Sequence, residues 1–156
     1  MQHLKLVPRL TLADMQTVLD RCTPADAEEL KAAGLEYSVE PFRSAIEGGR
    51  FLGAIWSHHA PVAAFGCIAH VLDEKIGIPW MIATPEFRLH PREAMALSRQ
   101  QVDLMQGAFD WLYNLVHCEH LVAIRWLMWL GFHVELDKPT GPGGAFLPFS
   151  WSKFNV

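Results

Sequence analysis

Residues His117 to Val134 read HCEHLVAIRWLMWLGFHV, and this stretch decides how the rest of the chain is organised. A short apolar run ends at Cys118, a helix-length apolar run follows, and Gly131-Phe132 opens another short apolar run. Strand, helix, glycine cap, strand is the physical reading. Glycine takes the left-handed conformation that ends a helix without a Cβ clash.

Working outward, Trp111 to Val116 reads as the strand in front, Leu121 to Leu130 as the helix and Phe132 to Leu136 as the strand behind. The loop Pro139-Thr140-Gly141-Pro142-Gly143-Gly144 separates these from a last strand, Phe146 to Trp151. Upstream, His90-Pro91 opens the longest amphipathic pattern. Met95, Val102, Met105 and Phe109 recur on one face, and Arg92, Arg99, Gln100, Asp103 and Gln106 take the other. Ile78 to Ala83 predicts a strand, with Pro79 tolerated near its start. Phe51 to Ser57 and Val62 to Val71 predict a hairpin around His58-His59-Ala60-Pro61. At the N-terminal end, Leu4 to Leu10 predicts a strand whose Pro8 marks an edge or bulge. Thr11 then caps a helix running to Arg21, and Thr23-Pro24-Ala25-Asp26 starts a second that Gly34 ends. Glu40 to Glu47 predicts a short helix stopped by Gly48-Gly49.

With 156 residues, half of them apolar and no linker or repeat, the chain predicts one domain spanning residues 1–156. A net charge of −4 gives no electrostatic reason to expect nucleic acid as a partner. Arg125 interrupts the most apolar stretch, so no membrane span is expected, and the N-terminus lacks the pattern of a signal peptide. Three well-separated cysteines fit reduced thiols in a cytoplasm. Cys67 reads as a buried small hydrophobe within a strand.

The order of elements resembles the GNAT acetyltransferase fold over nearly the whole chain. The closer resemblance is to the GNAT-like internal virion protein family of short-tailed bacteriophages. It is carried by Trp111-Leu112-Tyr113-Asn114-Leu115-Val116, by Ile124-Arg125-Trp126-Leu127, and by Gly131. Ile78-Pro79-Trp80-Met81 and the glycine-proline loop before Phe146 add to it. The resemblance implies an α/β fold: a mixed, mostly antiparallel sheet of six to seven strands flanked by about four helices. It implies a phage virion or morphogenesis protein whose partners are phage structural or assembly proteins, or copies of itself. The host cytoplasm during infection, and the virion, would be its locations.

In active GNAT enzymes, a glycine-rich loop at a helix start cradles the cofactor pyrophosphate with successive backbone N–H groups. The matching segment here, Thr84 to Glu93, has no glycine, has Pro85 and Pro91, and places Glu93 where a like charge opposes phosphate. Arg88 and Arg92 would compensate only partly and read as salt-bridging surface arginines. The family's cofactor-binding Asn and thiolate-protonating Tyr correspond to His120 and Leu127. The resemblance therefore implies a non-catalytic scaffold with no cofactor. The alternative is an acetyl-CoA-dependent N-acetyltransferase acting on a host or phage protein. Its general base would be Glu74 or Asp73, before the strand ending at Ala83; a plain charged loop is the competing reading.

His117, Cys118, Glu119 and His120 have metal-ligand chemistry, but no second cluster follows. A strand-to-helix turn with His120 capping or solvated is the simpler expectation, with no metal. The helix is apolar on two faces, Leu121, Ile124, Leu127 and Met128 on one and Val122, Trp126 and Trp129 on the other. Such a helix is sandwiched in a core or packs on a partner, which makes Trp126 and Trp129 interface candidates.

Overall fold

The structure, a computed structural model, describes residues 2–35 and 38–154. Local chemistry starts each of the early helices. Thr11 Oγ1 accepts the Asp14 N–H at 3.0 Å while Asp14 accepts the Thr11 N–H at 3.3 Å, a reciprocal capping box that opens α1 (Leu12–Asp20). Thr23 caps α2 (Pro24–Ala32) through Asp26 N–H, with Pro24 at the first helical position, where no N–H is needed. Each such cap contributes about 1 kcal/mol. Gly34 at φ +77° closes α2, with Leu35 N–H reaching back to Leu30 O. α3 (Glu40–Gly48) follows and leads into the sheet.

Among the described residues, seven strands form one sheet: β1 (Lys5–Val7), β2 (Arg50–Trp56), β3 (Pro61–Ala69), β4 (Ile76–Ala83), β5 (Trp111–His117), β6 (His133–Val134) and β7 (Phe146–Ser152). Their spatial order is β1-β2-β3-β4-β5-β7-β6, and every pairing is antiparallel except β4 with β5. A 3₁₀ turn (Pro85–Leu89) and the long helix α4 (Pro91–Ala108) connect β4 to β5, and α5 (Leu121–Trp129) connects β5 to β6. Gly131 at φ +95° ends α5. Phe132 N–H bonds Leu127 O and Gly131 N–H bonds Met128 O, the paired closure expected of a left-handed cap.

Strand alternation sorts the core into two layers. Ala54, Ala64 and Ile82 pack with Met15, Val18, Leu19, Leu30 and Phe42 of α1–α3. Ile55, Ala63, Phe65 and Ala83 pack on the other face with Phe87 and Ala94. Leu112, Val116, Leu147 and Phe149 continue that face under α4 and α5, against Val102, Met105 and Ile124. The mostly antiparallel α/β architecture is as expected from sequence, with five α-helices among the described residues rather than about four. Among the described residues, no helix is long and apolar enough to cross a membrane.

Four local expectations need correction. β3 stops at Ala69, because His70 N–H already bonds Ile76 O and the chain turns; Val71 and Leu72 stand exposed at the tip. β6 is two residues long, since Glu135 faces Pro148, which has no N–H to return the bond, and Leu136 is exposed. β1 is limited to the three residues before Pro8. The buried stripe of α4 is Ala94, Ser98, Val102 and Met105, and Met95 is only half-buried.

Candidate functional site

β4 and β5 are hydrogen-bonded neighbours only at Ile76↔Trp111 and Gly77↔Leu112. Gly77 makes that join possible: a Cβ there would lie 2.8 Å from both Cys67 Sγ and a Phe109 ring carbon. Beyond this point β5 pairs along its whole length with β7, and β4 stays with β3. The two parallel strands therefore splay apart toward Ala83 and His117. Asn114 crosses the gap, its Nδ2 donating to Pro79 O at 2.8 Å.

The splay opens a cavity of about 370 Å³ whose walls come from both helical layers. Asp26, Glu29 and Leu30 of α2 line it on one side; Ser98 and Val102 of α4 and Trp126 and Leu127 of α5 line it on the other. Two acidic side chains of α2 tie the separated strand ends together. Asp26 Oδ2 accepts the Ala83 N–H at 2.8 Å, and Glu29 Oε2 accepts the His117 N–H at 2.9 Å. Asp26 Oδ1 also meets His120 Nε2 at 2.7 Å, with both side chains almost fully buried. Burial pushes the Glu29 carboxyl above its ordinary range, opposed chiefly by the His117 N–H.

His120 was expected to cap or be solvated. It caps, because its Nδ1 accepts the Ala123 N–H at 3.4 Å, and it is buried. With Nδ1 accepting, the ring proton sits on Nε2 and points at Asp26. Both ring nitrogens are thus engaged, which makes His120 a structural tie rather than a proton shuttle. His117 Nδ1 instead accepts the Glu119 N–H, so the sequence cluster at 117–120 does not converge on one point.

The expected general bases lie away from the splay, by the joined ends of β4 and β5. Asp73 and Glu74 sit just before Ile76, where β4 and β5 are still joined, and Asp73 is occupied accepting the Lys75 N–H. Arg88 and Arg92 form no salt bridge among the described residues, contrary to expectation. Arg92 is exposed, whereas Arg88 is half-buried and lines the cavity. Arg88 Nε, Trp80 Nε1 and Trp126 Nε1 are buried donors without a partner among the described residues, and all three residues contribute to the walls of the same cavity. Leu127 also lines it, presenting methyl groups and no proton donor.

The two tryptophans of α5 part company. Trp126 stacks on the fully buried Phe87 ring, centroids 5.3 Å apart at 15°. Trp129 is 52% exposed, with the Arg99 guanidinium 5.0 Å over its ring. Leu121, Val122 and Met128 are exposed beside it, so α5 is not sandwiched.

At the start of α4, Pro91 supplies no N–H and Glu93 occupies the first turn. Glu93 Oε1 accepts the N–H groups of His3 and Leu4 at 2.7 and 3.1 Å. Those bonds pull its carboxyl down to about 2. Sequence reasoning missed this contact, and it missed Asp26 and Glu29.

No protein-family model and no curated protein sequence matches the chain. Solved structures match its shape. The structure of smu.2055 from Streptococcus mutans superposes with a TM-score of 0.70 at 14% identity, covering 95% of this chain and 98% of that one. A PaiA N-acetyltransferase from Thermoplasma acidophilum, in complex with coenzyme A, gives 0.66 at 15% identity over 97% and 99%. The ribosomal-protein-S18-alanine N-acetyltransferase from Escherichia coli gives 0.62 at 14% identity over 98% of both chains. At these identities the likeness shows the fold alone: a GNAT-like α/β architecture, shared with these two acetyltransferases.

Proposed function

We propose that this protein is a non-catalytic scaffold of GNAT fold that serves in a phage particle or its assembly. The observation that carries the non-catalytic half is the first turn of α4. A pyrophosphate bound there needs free N–H groups and a positive helix end. Here Pro91 removes one N–H, and Glu93 fixes a negative charge that its bonds to the Leu4 and His3 N–H groups, just before β1, keep ionised far below neutral pH. Leu127 and the engaged His120 leave the cleft without the two side chains that the resemblance to acetyltransferases calls for.

The virion half rests on the resemblance of Trp111–Val116, Ile124–Leu127 and Gly131 to the virion-protein family. The exposed apolar face of α5 around Trp129 supports a protein partner, a phage structural or assembly protein or a second copy. Titration calorimetry with acetyl-CoA tests the first half; binding tighter than about 0.1 mM would overturn it. Mass spectrometry of purified phage particles and assembly intermediates tests the second, and absence from both would sink it.

A specific observation favours a second reading, an acyl-CoA-dependent N-acyltransferase. The cleft takes its lining from both helical layers, and Trp80, Arg88 and Trp126 in its walls each carry a buried N–H donor with no partner among the described residues. An unpaired buried donor costs about 1–3 kcal/mol, so a ligand bearing carbonyl or phosphate oxygens would be rewarded if these side chains turn their N–H groups into the cleft. Coenzyme A is what the Thermoplasma relative holds. In this reading Glu29, with its raised pKa and with no hydrogen bond to its Oε1 among the described residues, takes the place of Asp73 and Glu74 as the base. Release of free thiol from acetyl-CoA, abolished in Glu29→Gln, would establish it.

A further inference from the structure

We propose that His3, His90 and Glu93 form a binding site for a divalent transition-metal ion of the zinc class, where the chain leading into β1 meets the first turn of α4. One ring nitrogen from each histidine and a carboxylate oxygen all lie within 4.8 Å of one another. His3 Nδ1 and Glu93 Oε2 are already 3.0 Å apart. Ligands about 2.0–2.2 Å from a tetrahedral ion lie roughly 3.3–3.6 Å from each other, so closing the cluster requires shifts of about an ångström together with rotation of the stacked imidazoles out of parallel, because each nitrogen lone pair lies in its ring plane.

The ligand types select the ion. Two imidazoles and one carboxylate suit zinc, cobalt or nickel, whereas magnesium and calcium take oxygen ligands. Glu93 is held for this role by a division of labour between its oxygens. Oε1 takes the two backbone N–H groups of His3 and Leu4, which orients the carboxylate and leaves Oε2 for the ion. The same bonds keep the ligand ionised, with the carboxyl near 2.

The site is reachable. The side chains of His3 and Glu93 are 39% and 28% exposed, and His3 borders an open hollow of about 430 Å³ that His58 also lines. Three protein ligands with an open side leave room for water as a further ligand. The His3 and His90 rings stack at 4.1 Å and 9°, so without an ion the cluster holds by stacking and by the His3–Glu93 hydrogen bond. An ion taken by His3 Nδ1 displaces its contact with Glu93 Oε2, and the ring proton then sits on Nε2.

Calorimetric titration of the full chain with zinc chloride tests the site. One equivalent should bind with a dissociation constant below about 10 μM. His3→Ala and His90→Ala should each weaken binding at least about tenfold, with circular dichroism confirming the fold, and Cys118→Ser should leave it unchanged. Cobalt(II) loading of the unaltered protein provides a second readout that needs no variant. Paramagnetically shifted signals should come from two imidazoles, and broadening should centre on residues 90–94 and 2–4. No stoichiometric binding, binding insensitive to both histidine substitutions, or cobalt broadening centred on residues 117–120 would overturn the proposal.

Discussion

Asp26 and His120 are 94 residues apart in the chain and 2.7 Å apart in the fold, and their contact closes the far end of the splayed cleft. The same carboxylate holds Ala83 at the end of β4, so a single side chain of α2 fixes both a strand end and the cap of α5. Removing it leaves a buried imidazole N–H and a buried backbone N–H unpaired. Asp26→Ala should cost about 2–6 kcal/mol in chemical denaturation, about 1–3 for each of the two donors left unpaired. Asp26→Asn keeps one acceptor and should cost about 1–3 kcal/mol. Equal, sub-kilocalorie effects for both would mean that the tie contributes little.

Trp126 and Trp129 should separate in a stability measurement. Trp126 lies against Phe87 and the cleft, and Trp126→Ala should cost about 3–5 kcal/mol. Trp129 contributes mainly its stacking with Arg99, and Trp129→Ala should cost only about 0.5–1 kcal/mol. If Trp129 serves a partner, that variant keeps its melting temperature while losing association. A loss of stability as large as that of Trp126→Ala would place Trp129 in the core.

How much of this was readable beforehand follows from how far apart the interacting residues are. The caps at Thr11, Thr23, Gly34 and Gly131 depend on residues within one helical turn, and the sequence shows them directly. His120 as a cap was legible for the same reason. Its partner Asp26 was not, nor was the bonding of Glu93 to His3 and Leu4 across about 90 residues. The stripe of α4 was misjudged because Ala94 and Ser98, small enough to bring the helix close, carry no strong apolar signal; Ser98 satisfies its hydroxyl on Ala94 O. Asp73 and Glu74 were attractive as bases by their nearness to β4 in sequence. Only the strand pairing reveals that the cleft opens at the other end.

Glu29 predicts a pH dependence with a definite sign. Its folded pKa is raised above the ordinary 4.5, so the unfolded chain ionises first as pH rises. Stability is fully present below about 4.5 and declines until the folded carboxyl has also titrated. Glu29→Gln keeps an acceptor for the His117 N–H and removes the buried charge. The variant's advantage over the parent should therefore be absent below pH 4.5 and grow above it, measured by denaturation at several pH values. A variant advantage that is constant across pH would remove the desolvated carboxylate from the account.

Glu93 should behave in the opposite sense. Its carboxyl is held near 2, chiefly by the Leu4 and His3 N–H groups, so its contribution is complete above 4.5 and is lost as pH falls toward 2. Glu93→Gln should destabilise at neutral pH, and the gap from the parent should close between those two values. The group is close to solvent, so the sign and the window are the test. A gap that persists unchanged at pH 2 would show that the backbone contacts at His3 and Leu4 do not depend on the charge.

Leu127→Tyr tests the non-catalytic reading from inside the cleft. The substitution puts a hydroxyl where the acetyltransferase resemblance places a thiolate-protonating tyrosine, in a cavity that Leu127 already lines. It changes nothing at the first turn of α4, where Pro91 still lacks an N–H and Glu93 still carries its charge. A phosphate site that is missing cannot be repaired by a proton donor beside the cleft, so the variant should release no thiol from acetyl-CoA above the uncatalysed rate. Adding Pro91→Gly and Glu93→Gln restores an N–H and removes the opposing charge. If the cleft is otherwise intact, this triple variant should gain measurable acetyl-CoA affinity while Leu127→Tyr alone does not. Thiol release by Leu127→Tyr alone would mean that the cofactor reaches the cleft without the α4 site, and the enzyme reading would then prevail.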